Sequence, residues 1–475
     1  MKKIIAFMLA LVLALSLCAC VDTGSGTEET GGQSFDGLYV GYGREKIMPE
    51  TSVPLAGYGD TSNRMSTGFL DYLYATCIAI SEGDETVLLF SQDLLNSNLG
   101  WVTEARKRIN EATGIATDRV MLCATHTHSA PDQPSSQSVI AQYRELYMEA
   151  VVKAAQDALA DRAPTTLYST KTKTENMNYV RHYKMSDGTF AGDNFGSFSN
   201  GNTPVEHATV GDPEMILVKM DREGDNKDIL LMNWQAHPCL TGGNTKTDIS
   251  ADFIGYTRME LEAQTDMHFI YFTGAAGNQN TFSRIETEPT INDVGVFSKK
   301  LAQYALDALP NMTKIEGSGL KVNQVQFEYT VNHAKEDMAQ IAEQICRVWT
   351  TEGTTAADRL ARQNGLSSVY EANAIRMRPS RPQVDTMELN AFYVAGMAFI
   401  AAPYEMFTDS GLYIKENSPF ETTVLCTCAN NNSLGYFPTE EAFDYGCYES
   451  FTSYFAKGCA EAAAEQFVTM LEGLQ

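Results

Sequence analysis

Four apolar runs in this chain each stop abruptly at a residue able to bind a metal or move a proton. VMLCA leads into Thr125-His126-Thr127-His128, ILLMNWQA into His237, AGMAFIAAPY into Glu405, and VLCTC into ANNNSLG and Tyr436. Runs this short and apolar read as buried strands, and interleaved helical spacings make the chain α/β. Loops beyond strand ends are where such sheets place their sites. The pattern therefore predicts a single large domain with a mixed β-sheet core flanked by helices and an active site in loops at strand ends.

Hairpins are expected around Glu82-Gly83-Asp84-Glu85 and Glu223-Gly224-Asp225-Asn226. Helices are expected over 138–160 (ended by Pro164), 252–263, 291–309, 405–416 and 449–472. Residues 176–198 read as a long polar loop, and about 333–375 as a peripheral helical insertion.

The N-terminus reads as an address. Lys2 and Lys3 precede an apolar run too short for an ordinary membrane span, followed by Leu17-Cys18-Ala19-Cys20. This resembles a bacterial lipoprotein signal. Residues 1–19 would be removed, Cys20 lipidated, and 20–36 would form a flexible tether to a domain over 37–475. The protein is then expected outside the cytoplasm, held at the cell membrane by its lipid. A net charge of −25 without basic clusters argues against nucleic acid as a partner. Ten cysteines contain no CxxC pair, so the usual zinc-ribbon and thioredoxin signatures are absent.

Two of only seven histidines stand one residue apart at His126 and His128. On an extended segment they face the same side. Taken singly, each candidate has a plainer reading. His237 can be a core histidine, Glu405 a carboxylate favoured by a helix dipole, and Tyr436 a packing residue.

Together the motifs resemble the neutral/alkaline (non-lysosomal) ceramidases, zinc amidases that cleave the N-acyl bond of ceramide. GYGREKIMP, PLAGYG, ATHTHSAPD, NWQAHP, ISADFIGYTRMELE, FTGAAGNQN, AAPYE and GYFPTEEAFDYGCYE carry the resemblance, in order, from about residue 37 to the end. It implies one Zn²⁺ per chain held by His126, His237, Glu405 and Tyr436. It implies His128, Arg181 (in NYVRHYKMSDG) and Tyr448 (in CYE) as catalytic groups around the reacting carbonyl.

The chemistry is coherent on its own terms. Two neutral imidazoles and a carboxylate leave zinc a Lewis acid with room for water. An imidazole, a phenol and a guanidinium are suitable donors to an oxyanion. His128 can also protonate the departing amine.

The sequence departs from the family where a serine is expected after the Gly-Asp pair. Here Asn278 replaces the aspartate and Asn280 stands in the serine's place, leaving both as candidate substrate contacts. The chain is also expected to lack the family's C-terminal immunoglobulin-like β-sandwich. The expected activity is zinc-dependent hydrolysis of ceramide or a related N-acyl lipid to fatty acid and amine. Alternatives are a zinc hydrolase of another amide or ester, and a non-catalytic binding lipoprotein that retains the fold.

Overall fold

The computed structural model describes residues 34–58, 64–198, 201–243, 245–285, 290–431 and 434–475. The expected signal peptide, Cys20 and most of the tether lie outside the described residues. Phe35–Gln475 form one compact unit. Among the described residues no helix is long and apolar enough to cross a membrane.

Two chain segments of similar connectivity build the first sheet. One comprises β1 (Phe35–Lys46), β2 (Tyr74–Gly83), β3 (Glu85–Gln92), α1 (Leu99–Thr113), β4 (Val120–Ala124) and α2 (Ser138–Ala160). The other comprises β5 (Ala163–Lys173), β6 (Glu214–Arg222), β7 (Ile229–Trp234), α3 (Asp252–Thr265), β8 (His268–Thr273) and α4 (Val294–Ala308). The strand order is β8-β7-β6-β5-β1-β2-β3-β4, with Thr313–Lys314 a ninth strand on β5. The inner pairs are antiparallel, whereas β3/β4 and β7/β8 are parallel, connected through α1 and α3.

Local sequence accounts for these elements. The Asn98 side chain caps α1 by accepting from Gly100 N, and Gly114 ends it. In α2, Tyr143, Tyr147, Ala150, Val151, Ala154 and Ala158 recur at helical spacing and are buried. All of VMLCA in β4 is buried, as expected of a parallel strand covered on both faces.

The single expected mixed sheet is joined by a second. It comprises β9 (Leu320–Thr330), β10 (Val384–Val394), β11 (Met397–Ala401) and β12 (Thr423–Cys426), in that order. One apolar layer contains Ile78, Leu89, Met121, Val218 and Ile270 of the first sheet with Phe392, Phe399 and Val424 of the second. Helices cover the outer faces: α1 and α2 on one part of the first sheet, and α3 and α4 on the other. The second sheet is covered by α8 (Thr408–Asn417) and α10 (Cys459–Glu472).

The two edges of the first sheet also meet. Ser91 Oγ donates to Tyr271 O, and Thr273 Oγ1 donates to Thr125 O at 3.0 Å. Residues 427–430 run between those edges. Thr427 N donates to Thr273 O and Asn430 N to Leu122 O, at 2.9 and 2.8 Å.

Four local expectations change. Glu405 does not begin a helix; Glu405–Met406 is a short strand, and α8 starts at Thr408. The C-terminal helix breaks into α9 (Tyr448–Thr452) and α10, with Gly458 at φ 90° before the second piece. The expected loop over 176–198 contains strands at Tyr179–Val180, His182–Met185 and Phe190–Gly192. Pro164 sits inside β5 rather than directly ending α2, which stops at Ala160.

The insertion does form helices, α5 (Ala339–Glu352), α6 (Thr354–Gln363) and α7 (Val369–Met377), around a small core of their own. It is not peripheral to the site, because the Tyr370 ring lies 5.9 Å from that of Tyr448.

Candidate metal centre

His126 and His128 leave the end of β4 at one edge of the first sheet, and His237 follows β7 near the other. Closure of the sheet edges brings them together: one ring nitrogen from each of His126, His128 and His237 lies within 4.8 Å of the other two. Glu405 and Tyr436 arrive as register partners in a short parallel pair, Glu405–Met406 with Tyr436–Phe437. Glu405 Oε2 is 3.2 Å from His126 Nε2 and 3.3 Å from His237 Nε2; Tyr436 Oη is 3.4 Å from His237 Nε2. Donors arranged tetrahedrally around zinc at its usual bond lengths stand about 3.3–3.6 Å apart.

The tautomers agree with that geometry. Nδ1 of His126 faces Leu95 O at 2.8 Å, Nδ1 of His237 faces Ala276 O at 2.8 Å, and Nδ1 of His128 faces Gly57 O at 3.0 Å. A carbonyl only accepts, so each Nδ1 carries a proton, and each Nε2, once deprotonated, presents a lone pair to the shared centre. Nε2 of His126 and His128 and Oε2 of Glu405 are buried with no directed hydrogen bond. Buried polar atoms left in that condition are costly, and several facing one point mark a site for a cation. The donor set therefore fits zinc. His126 itself has φ 70°, a conformation that a non-glycine residue rarely adopts and that the surrounding pairing must enforce.

Electrostatics follow the same arrangement. Burial would push the Glu405 carboxyl up, but His126 and His237 outweigh it and hold it well below the usual range. Burial, reinforced by Arg181, pulls His237 down to about 4. Burial, with His126 and His237 nearby, also holds His128 well below its ordinary value. Burial opposes protonation of His126, but Cys428 and Glu405 outweigh it and raise its pKa.

Two glycines permit the assembly. Gly57, in PLAGYG, has φ 101°, and a Cβ there would stand 2.5 Å from His128 Nδ1. A Cβ on Gly277, in FTGAAGNQN, would stand 2.6 Å from Glu405 O and 2.8 Å from Met406 O. The Gly277 amide donates to Met406 O at 2.8 Å, so the loop after β8 lies directly on the strand that carries Glu405.

Arg181 enters through antiparallel pairing of Tyr179–Val180 with Gln279–Asn280, and its amide donates to Asn278 O at 2.9 Å. Its guanidinium carbon is 5.3 Å from the centre of the Tyr436 ring. Tyr448 lies beyond, its ring 5.9 Å from that of Tyr436, and burial raises its phenol so that it keeps its proton.

The sequence reading missed Glu449. It is fully buried, accepts from Arg181 Nε at 2.8 Å, and faces His182 Nε2 at 2.9 Å. Burial would raise this carboxyl, but His182 and Arg181 hold it well below its usual range. Its position directly after Tyr448 in CYE was the available signal. His182, Cys447 and Glu449 form a second ligand-type cluster, but the His182 nitrogens face Tyr445 and Glu449.

The structure does not bring Asn278 and Asn280 into the donor cluster. Asn278 Oδ1 accepts from Thr408 N and Oγ1 at 3.0 and 2.8 Å, fixing the start of α8. Asn280 Nδ2 donates to Asp193 Oδ2 at 2.7 Å. Asp71 supports the histidine loop from behind by accepting from Ala251 N and Ser250 Oγ. Thr127 Oγ1 in turn donates to Ser250 O at 2.7 Å.

Comparison with known proteins places this geometry in context. The family "neutral/alkaline non-lysosomal ceramidase, N-terminal" matches residues 38–282. The fold is similar to that of neutral ceramidase from Pseudomonas aeruginosa, with a TM-score of 0.67, 16% identity, and coverage of 93% of this chain and 75% of that one. A ceramidase complexed with C2 matches with the same TM-score and coverage at 15% identity. The family match spans more than half the chain and includes His126, His128, Arg181 and His237, so the chain belongs to the neutral/alkaline non-lysosomal ceramidase family.

Proposed function

We propose that the protein is a zinc-dependent amide hydrolase that cleaves the N-acyl bond of ceramide or a related N-acyl lipid, releasing fatty acid and amine. The reading further places it outside the cytoplasm, at the membrane surface through a lipid on Cys20. The observation that carries the enzymatic reading is the chain of close donor atoms, Glu405 Oε2 at 3.2 and 3.3 Å from His126 Nε2 and His237 Nε2, and Tyr436 Oη at 3.4 Å from His237 Nε2. A zinc ion held by these four residues would supply Lewis acidity and lower the pKa of water at neutral pH.

The remaining groups divide the work. His128 donates Nδ1–H to Gly57 O, so its Nε2 can take a proton from attacking water and return it to the departing amine nitrogen. Tyr448 and Arg181 stand on the Tyr436 side and offer an O–H and N–H groups to the oxygen that becomes negative. Glu449 is a positioning residue that holds Arg181 in place.

The test is metal analysis with a hydrolysis assay. About one zinc per chain is expected, with amidase activity lost on chelation and restored by zinc. Stoichiometric zinc with no hydrolysis of N-acyl lipids, simple amides or esters would refute the enzymatic reading and favour a binding lipoprotein.

A further inference from the structure

A cavity of about 880 Å³ opens beside the donor cluster. Tyr58 and Tyr370 line it, and their rings are 5.2 Å from that of His128 and 5.9 Å from that of Tyr448. Its size suits a small-molecule site. Its walls do not suit a long hydrocarbon tail. Asp193, Arg284, Asp358 and Arg362 all line it, and among the described lining residues only Phe195 and Phe198 bring wholly apolar side chains. An alkyl chain laid here would desolvate charges without replacing their water.

The four charges are not equally engaged. Asp193 is held by Asn280 Nδ2 at 2.7 Å, and Asp358 Oδ1 accepts from Val369 N at 2.8 Å. The guanidiniums approach these carboxylates only at 3.8 Å for Arg284 and 3.9 Å for Arg362, beyond hydrogen-bond distance. Arg284 lies over the Phe198 ring, its Cζ 4.5 Å from the centroid. Two guanidiniums facing one cavity, with donors not spent on their neighbours, suit a carboxylate.

We propose that the substrate is an N-acyl amino acid whose carboxylate is received by Arg284 and Arg362 in this cavity. The proposal rests on the amide-hydrolase reading and names the substrate class of the same site. The balance is that of hydrolysis: water adds across the amide C–N bond, its OH to the acyl carbon and its H to nitrogen. The products are a fatty acid and a free amino acid. Asn280 fits this assignment, because its hydrogen bond holds Asp193 at 3.8 Å from the Arg284 guanidinium and leaves that guanidinium's donors for a substrate.

The test compares N-lauroylglycine, N-lauroylethanolamine and N-lauroylsphingosine on the zinc enzyme, following release of lauric acid. N-lauroylglycine is expected to have a kcat/KM at least about tenfold above the other two. Arg284→Ala and Arg362→Ala are each expected to lower its kcat/KM relative to the ethanolamide by about tenfold, chiefly through KM. Equal or better cleavage of the ethanolamide or ceramide, or an unchanged ratio in both variants, would overturn the proposal while leaving the amidase reading intact. If none of the three is cleaved, the amidase reading fails for this lipid class. The carboxylate site is then judged by calorimetric titration of zinc-loaded His128→Ala with N-lauroylglycine and the ethanolamide. A preference for the glycine conjugate that disappears with Arg284→Ala supports the site, and equal binding refutes it.

Discussion

Replacing Gly277 by alanine tests whether the metal site depends on contact between two loops rather than on its donors alone. The added Cβ would meet Glu405 O at 2.6 Å and Met406 O at 2.8 Å, both backbone atoms with no rotamer to escape into. Ordinary contact begins at 3.4 Å, so the strand carrying Glu405 must move from the loop by about 0.6–0.8 Å. His237 moves with the loop, because its amide donates to Gln279 O and its Nδ1 to Ala276 O. The 3.3 Å separation between His237 Nε2 and Glu405 Oε2 should therefore open towards about 4 Å, while zinc ligands tolerate about 0.2 Å.

The expected result is a zinc affinity lower by about 10–100-fold and a stability loss of about 1–3 kcal/mol. Zinc affinity is measured by competition with a chromophoric chelator well below the melting temperature, and stability by urea unfolding. A Gly277→Ala protein that folds and binds zinc as tightly as wild type would refute the argument that this crossing sets the ligand geometry.

Exchanging the two histidines of the THTH segment should have unequal effects. His126→Ala should lose zinc and activity, whereas His128→Ala should retain about one zinc and lose about 100-fold or more in kcat; equal zinc loss in both would merge their roles. Glu449→Gln should keep zinc but lower kcat about tenfold and stability by about 3 kcal/mol, since Arg181 loses its buried partner; an unchanged kcat would refute the positioning role. Asp71 gives a pH effect of definite sign. Burial raises it to about 6, above its unfolded value, so protonation stabilises the fold below about pH 4, and that stability is lost as pH rises through about 6. In Asp71→Asn this slope, at most about 3 kcal/mol, should vanish; parallel urea-midpoint profiles for the two proteins between pH 4 and 8 would contradict it.

What was legible in the sequence was mostly local. The 138–160 helix, both hairpins and the run into THTH are written in spacing and turn residues; the Glu82–Glu85 hairpin is tight as expected, while the second pairs Met220 with Ile229 across a longer connection. What was not legible depends on partners far along the chain. Glu405–Met406 looks like a helix start, but becomes a strand because Tyr436–Phe437 lies beside it. Tyr179–Val180 gains its pairing from Gln279–Asn280, a hundred residues later. The second sheet hides for a similar reason: β9 alternates half-buried and exposed residues along most of its length, and nothing local to it says that β10 and β11 extend it into a separate sheet. Glu449 was missed because its partners, Arg181 and His182, lie more than two hundred residues away.

The same long-range pairing explains why the site can hold residues in unfavourable local states. His126 has φ 70°, and Cys428 and Asn430 in the segment bridging the sheet edges have φ 55° and 58°. Each would relax if its neighbours allowed it. The His126 amide, however, is tied to Leu94 O, Ala124 N to Cys428 O, and Leu122 N to Asn430 Oδ1. His126 comes from one edge of the first sheet, His237 from the other, and Glu405 and Tyr436 from segments following strands of the second. A cation bound by all four therefore joins both sheet edges to the second sheet. Its binding energy must add to the stability of that junction, because the unfolded chain cannot present these donors together. The strained backbone and the orphaned nitrogen and oxygen atoms are thus two signs of one arrangement. The fold holds these donors close against their own preferences, and an ion bound at their centre would offset that cost.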